Sequence, residues 1–136
     1  MKIQHLQGLI AAPFTPMHNN GSINLELIPQ YYEMLKANGI TGAFICGSTG
    51  EGVSMTTTEK KEVASAWAAA TKGDTNFKVM MFLGGTSLED CKELALHSQQ
   101  IGLHAISFTA RFYFIPANVE ILARCCEEIA ATVPNM

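Results

Sequence analysis

The sequence predicts an α/β protein built on a parallel sheet, and three observations predict it. Apolar runs of strand length alternate with capped, amphipathic helical segments in the order βαβαβαβα. The apolar runs are close to continuous, as in strands that pair in parallel and are covered on both faces. The segments that follow the runs hold glycine, hydroxyl and tyrosine residues, whereas those that precede them hold helix-stop glycines and charges. Two architectures accommodate this order: an open doubly wound sheet and part of a (β/α)8 barrel. Both place ligands at the carboxyl ends of the strands.

The first strand covers residues 8–12 and ends at Pro13-Phe14-Thr15-Pro16. His18-Asn19-Asn20-Gly21-Ser22 makes a turn. Leu27, Ile28, Tyr31, Met34 and Leu35 recur at helical spacing over 25–38, and Asn38-Gly39 stops that helix. The second strand is 42–46. Thr56 and Glu59 have capping-box spacing at the start of the second helix, which runs to about residue 71 and ends at Lys72-Gly73-Asp74. The third strand, 77–83, is closed by Gly84-Gly85. The third helix starts near Ser87, carries Leu88-Glu89-Asp90 in its first turn and ends at Ile101-Gly102. The fourth strand is 105–109, and the fourth helix runs from near Pro116-Ala117-Asn118 to about residue 131. Gly39-Ile40-Thr41-Gly42-Ala43-Phe44 echoes Gly102-Leu103-His104-Ala105-Ile106, which fits a repeating βα architecture.

The 136 residues are 48% apolar and 15% charged, enough for one domain with a sizeable core over 1–136 and no linker. A net charge of −3, with no basic cluster beyond Lys60-Lys61, argues against nucleic acid as a partner. No apolar run reaches the roughly eighteen residues of a membrane span. The apolar run at 9–14 is short and contains Pro13, which argues against a signal peptide. Cys46, Cys91, Cys125 and Cys126 form no C-x-x-C pair and read as reduced thiols of a cytoplasmic protein. His5, His18, His97 and His104 are scattered, so no metal site is expected.

Chemistry concentrates in Gly47-Ser48-Thr49-Gly50-Glu51-Gly52, directly after the second strand. Its glycines permit a tight turn and close approach of a ligand to the main chain. Its two hydroxyls and its amides can surround a small carboxylate without a fixed positive charge. The order G-x-x-G-x-G is neither the dinucleotide fingerprint nor a Walker loop, so a nucleotide fits poorly. Glu51 reads as a general base or as an acceptor that secures the loop. Thr15 either lines the pocket or bonds the turn beside Pro16. Tyr113, past the fourth strand, is a proton relay reaching into a neighbouring site or a packing aromatic at a subunit interface. Arg111 pairs with an anion or is simply solvated. Cys46 has no histidine nearby in sequence and reads as a small buried side chain. The lysines fall on a terminus, on helices or at the start of a strand, and none sits at the carboxyl end of an apolar strand, where a desolvated amine forms a Schiff base.

Taken together, Leu6-Gln7-Gly8-Leu9-Ile10-Ala11-Ala12-Pro13-Phe14-Thr15-Pro16, Gly21-Ser22-Ile23-Asn24 and the 47–52 loop resemble the N-terminal half of the N-acetylneuraminate lyase / dihydrodipicolinate synthase family. The motifs span nearly the whole chain in order. Ser48-Thr49 stands where the synthases usually carry two threonines, and Ala110-Arg111-Phe112-Tyr113-Phe114-Ile115 stands where they usually show a T-P-Y-Y-N-like segment, so the likeness lies nearer the lyases. The resemblance implies a TIM barrel, here its first four βα units, and a homotetramer without metal or organic cofactor. It implies class I aldolase chemistry on a 2-keto acid or sialic acid, with a lysine imine to pyruvate as the electron sink. Gly47, Ser48 and Thr49 would match the loop that holds the keto-acid carboxylate, and Tyr113 a proton-shuttling tyrosine near the subunit interface. A complete barrel needs about 250 residues. The family's Y-x-x-P segment and Schiff-base lysine would follow Met136, and Val133-Pro134-Asn135-Met136 resembles the approach to a fifth strand. On this expectation the 136 residues alone lack the nucleophile.

Overall fold

The computed structural model describes residues 6–110, 113 and 115–136. His5 and Arg111, weighed above, lie outside the described residues. Strands β1 (Leu9–Ala11), β2 (Ile40–Ile45), β3 (Lys78–Phe82) and β4 (Ala105–Ser107) alternate with helices α1 (Ile28–Ala37), α2 (Thr57–Ala70), α3 (Leu88–Gln100) and α4 (Val119–Thr132). Every pairing is parallel, and the strand order is β1-β2-β3-β4. A doubly wound sheet reverses its order at a switch point. No reversal occurs here, and each helix packs against the next in sequence. The architecture is therefore four consecutive βα units of a barrel.

Local chemistry sets the helix starts. The capping box of α2 forms in both directions: Thr56 Oγ1 accepts from the Glu59 N–H at 3.2 Å, and the Glu59 carboxylate accepts from the Thr56 N–H at 2.8 Å. Ser87 and Asn118 cap α3 and α4 by accepting from the N–H groups of Asp90 and Ile121 at 3.2 and 2.9 Å. The first helix begins later than its periodicity suggests. Leu25–Leu27 is a 3-10 turn, and the α-helix starts at Ile28 with Pro29 in its first turn, where the missing N–H breaks no helical bond. The 18–22 turn closes through the His18 N–H to the Ser22 carbonyl at 2.8 Å.

Strand β2 starts at Ile40, two residues before the predicted position, because Gly42 continues the strand instead of interrupting it. A Cβ on Gly42 would lie 2.6 Å from the Lys78 carbonyl oxygen, so glycine permits the close approach of β3. Strand β4 ends at Ser107, short of the predicted residue 109.

Ala43 and Ile45 of β2 and Val79 and Met81 of β3 are at most 1% exposed, packed with Val63, Ala64 and Trp67 of α2 and Leu94 and Ala95 of α3. Trp67 and Phe77 stack with centroids 6.4 Å apart, and Tyr32 meets Phe77 edge-on at 5.0 Å. The alternate residues Phe44, Met80 and Phe82 are only half-buried. The expectation of strands buried on both faces thus holds on the helix side alone. The opposite face carries a Phe44–Phe82 ring contact at 5.6 Å and remains partly open.

Candidate functional site

The 47–52 loop leaves β2 through a left-handed turn. Cys46 has φ 57° and Glu51 φ 56°, a backbone conformation that side chains disfavour. The two residues bracket a tight loop closed by its own backbone. The Gly52 N–H donates to the Gly47 carbonyl at 3.1 Å, the Glu51 N–H to Ser48 at 3.1 Å, and the Ser54 N–H to Glu51 at 2.9 Å. A Cβ on Gly52 would fall 1.8 Å from the Cys46 carbonyl oxygen, so only glycine closes this turn without displacing backbone.

Thr15 braces the loop from β1. Its buried hydroxyl donates to the Gly50 carbonyl at 2.7 Å, with the Met55 sulfur 4.0 Å away on its other side. The proton of Thr15 is thereby committed to the loop. Ser48 and Thr49 are exposed on top. Among the described residues their amides donate to no acceptor. Among the described residues, two N–H groups and two hydroxyls are thus left without partners in an exposed stretch of a turn whose backbone is held by its own bonds and Thr15. Glu51 is exposed, and among the described residues its carboxylate accepts no hydrogen bond. Backbone bonds and Thr15 secure the loop, the work that sequence reasoning had offered to the Glu51 carboxylate.

Cys46 is 1% exposed, and burial pushes its thiol up to about 12, against a smaller opposing influence of the Lys60 charge. It remains a protonated, inert side chain at ordinary pH. The structure adds Lys60 itself. This lysine of α2 is 6% exposed, and its Nζ donates to the Gly84 carbonyl at 2.8 Å. A lysine placed by sequence on a helix thus delivers its ammonium to the carboxyl end of β3. The signal was present in the sequence, because Lys60 shares the i, i+3, i+4, i+7 stripe of Val63, Ala64 and Trp67. Lys60 also lines a cleft of about 470 Å³ with Met55, Thr56, Thr86, Asp90 and Tyr113. Tyr113 stands at its rim, 75% exposed. The structure thus brings Gly47, Ser48, Thr49 and Thr15 into one loop assembly, with Tyr113 on the adjoining cleft.

The opposite ends of the strands are built differently. Tyr32 donates its hydroxyl proton to Asp74 at 2.7 Å, and Lys36 reaches both Tyr32, at 3.1 Å, and Asp74, at 2.7 Å. Lys36 first, then Tyr32, hold the Asp74 carboxyl far below the usual carboxylate range. The Val79 N–H donates to His104 Nδ1 at 3.3 Å, and the His104 N–H returns a bond to the Val79 carbonyl at 3.0 Å. Among the described residues no group of three His, Cys, Asp or Glu side chains could hold a metal ion, and no helix is long and apolar enough to cross a membrane.

A sequence profile described as the dihydrodipicolinate synthetase family matches residues 5–136. Human N-acetylneuraminate lyase is 41% identical over 133 residues, covering 96% of this chain and 41% of that protein. The structure of Proteus mirabilis N-acetylneuraminate lyase superposes with a TM-score of 0.91 at 36% identity, over 97% of this chain and 44% of that one. A prophage protein of the dihydrodipicolinic acid synthase family from E. coli K12, solved in complex with pyruvate, superposes with a TM-score of 0.85 at 25% identity, over 93% of this chain and 42% of that one. The chain spans less than half the length of these relatives.

Proposed function

Because this chain belongs to the dihydrodipicolinate synthetase family, we propose that it forms the keto-acid-binding half of a class I aldolase of the N-acetylneuraminate lyase kind. The observation that carries the reading is the braced turn at the carboxyl end of β2, where Ser48 and Thr49 are exposed and their amides and hydroxyls have no partner among the described residues. Such a turn matches a carboxylate, whose two oxygens accept several N–H and O–H bonds at once. Gly47 gives the ligand access to the main chain, and Thr15 fixes the loop from beneath. In the complete enzyme an imine between a lysine and the keto carbon would act as electron sink. Cleavage of the C–C bond would then yield N-acetylmannosamine and the enamine of pyruvate. Tyr113, exposed at the cleft rim, would shuttle a proton near a subunit boundary of a cytoplasmic homotetramer.

On this reading the 136 residues bind the keto acid but do not turn it over, because the Schiff-base lysine belongs to a later strand. The test is incubation with pyruvate, reduction with borohydride and mass measurement. Unchanged mass is expected, and a stoichiometric pyruvyl adduct would overturn the claim of inactivity. Ser48, where the synthases usually carry threonine, favours the lyase over the synthase. Product analysis on a longer protein carrying this chain separates those two. Saturable pyruvate binding that Ser48→Ala/Thr49→Val abolishes, with no turnover in any longer protein, would instead identify a carboxylate-binding half barrel.

A further inference from the structure

The 47–52 loop presents only neutral donors to its ligand, yet a buried cation stands at the end of the neighbouring strand β3. Lys60 is 6% exposed, and its Nζ is fixed on the Gly84 carbonyl. Among the described residues it forms no ion pair with any carboxylate. A buried ammonium normally carries a paired acid, since removing it from water is costly. Asp90 lines the same cleft but lies outside ion-pair distance. The register Ile45↔Met81 sets the carboxyl ends of β2 and β3 side by side, so the Gly84 carbonyl that holds Lys60 lies at the strand end next to the one from which Gly47 leaves, and the Lys60 charge is felt at Cys46, the residue immediately before Gly47.

We infer that Lys60 is a positioning residue for the anion site: a buried, unneutralised charge that ties the end of β3 to α2 and biases the 47–52 loop toward a carboxylate. The inference rests on the reading of that loop as the keto-acid carboxylate site, and it adds the fixed positive charge that the loop itself lacks. Among the described residues the ammonium has a single carbonyl partner, which carries only a partial negative charge. A bound carboxylate supplies the missing counter-charge across protein, which screens less than water. An uncharged ligand of the same shape gains nothing from it.

The test uses the 136-residue chain, isotopically labelled for NMR and titrated with pyruvate and, separately, with its neutral isostere pyruvamide. Wild type should bind pyruvate through the Ser48 and Thr49 amides and prefer it over pyruvamide by about tenfold. Lys60→Met should weaken pyruvate by about the same factor and leave pyruvamide unchanged. Lys60→Arg, which keeps the charge, should restore most of the preference. Equal weakening of both ligands in Lys60→Met would make Lys60 a scaffold residue only and overturn the inference. Undiminished pyruvate binding in that variant would overturn it as well. If Lys60→Met does not fold, Lys60→Gln takes its place and its two affinities are read in the same way. No binding of pyruvate by wild type overturns the carboxylate reading of the loop itself, an outcome distinct from the others.

Discussion

At the amino ends of the strands, Tyr32, Lys36 and Asp74 satisfy one another, and the His104 imidazole accepts the Val79 N–H. At the carboxyl ends, two residues hold disfavoured left-handed backbone and, among the described residues, two amides donate to nothing and a buried ammonium has only a carbonyl for company. Both ends close the same kind of βα unit. The difference shows where each spends its polar groups. The amino end saturates them and gains stability, while the carboxyl end leaves them available and accepts strain. Ligand chemistry needs the second condition.

The contrast can be broken most forcefully at Gly52. Gly52→Ala drives a methyl into the Cys46 carbonyl and should cost about 3 kcal/mol or more, read as a fall in the urea midpoint. An unchanged midpoint would mean that the turn is not held as described. Thr15→Val removes the buried donor of the Gly50 carbonyl and should cost about 2 kcal/mol. It should also broaden the Ser48 and Thr49 amide signals, because the brace is lost while the loop remains. Glu51→Gly works in the other direction. Relief of the left-handed backbone should stabilise the fold by about 1 kcal/mol, confirming that the carboxyl end carries strain. A destabilised variant would show that the Glu51 side chain does contribute.

The amino end gives the subtlest test, through pH. Asp74 is held below its ordinary pKa, so the unfolded chain binds the proton more readily than the folded one. Its contribution is complete above the unfolded carboxylate value of about 4 and is lost as pH falls below it. Asp74→Asn should therefore lower stability at pH 7 and flatten the acid limb of the stability–pH curve below about pH 4. An acid limb of unchanged slope would show that the triad does not couple to folding.

The elements were readable because their signals are local. The Thr56 and Glu59 capping box, the 77–83 run and the 47–52 motif each follow from neighbours in sequence. The misjudged details are long-range. Gly42 looked like a strand boundary because nothing nearby in sequence announces the Lys78 carbonyl that needs its missing side chain. Thr15 left two readings open because its acceptor, Gly50, lies 35 residues away. Lys60 was set aside with the other helical lysines, since helix position alone does not say how far a four-carbon side chain reaches. The half-covered Phe44–Phe82 face also escaped the pattern, because a run of apolar residues does not reveal which of its faces meets a helix.

The simple strand order β1-β2-β3-β4 has a consequence for how the chain is made. Each strand after the first pairs with the strand that precedes it in sequence. A polypeptide leaving the ribosome therefore always has its next docking edge already formed behind it. No strand must wait for a later one to be inserted between it and its neighbour, as a doubly wound sheet requires. The sheet can grow in the direction of synthesis, one βα unit at a time, with every new strand added at the same advancing edge.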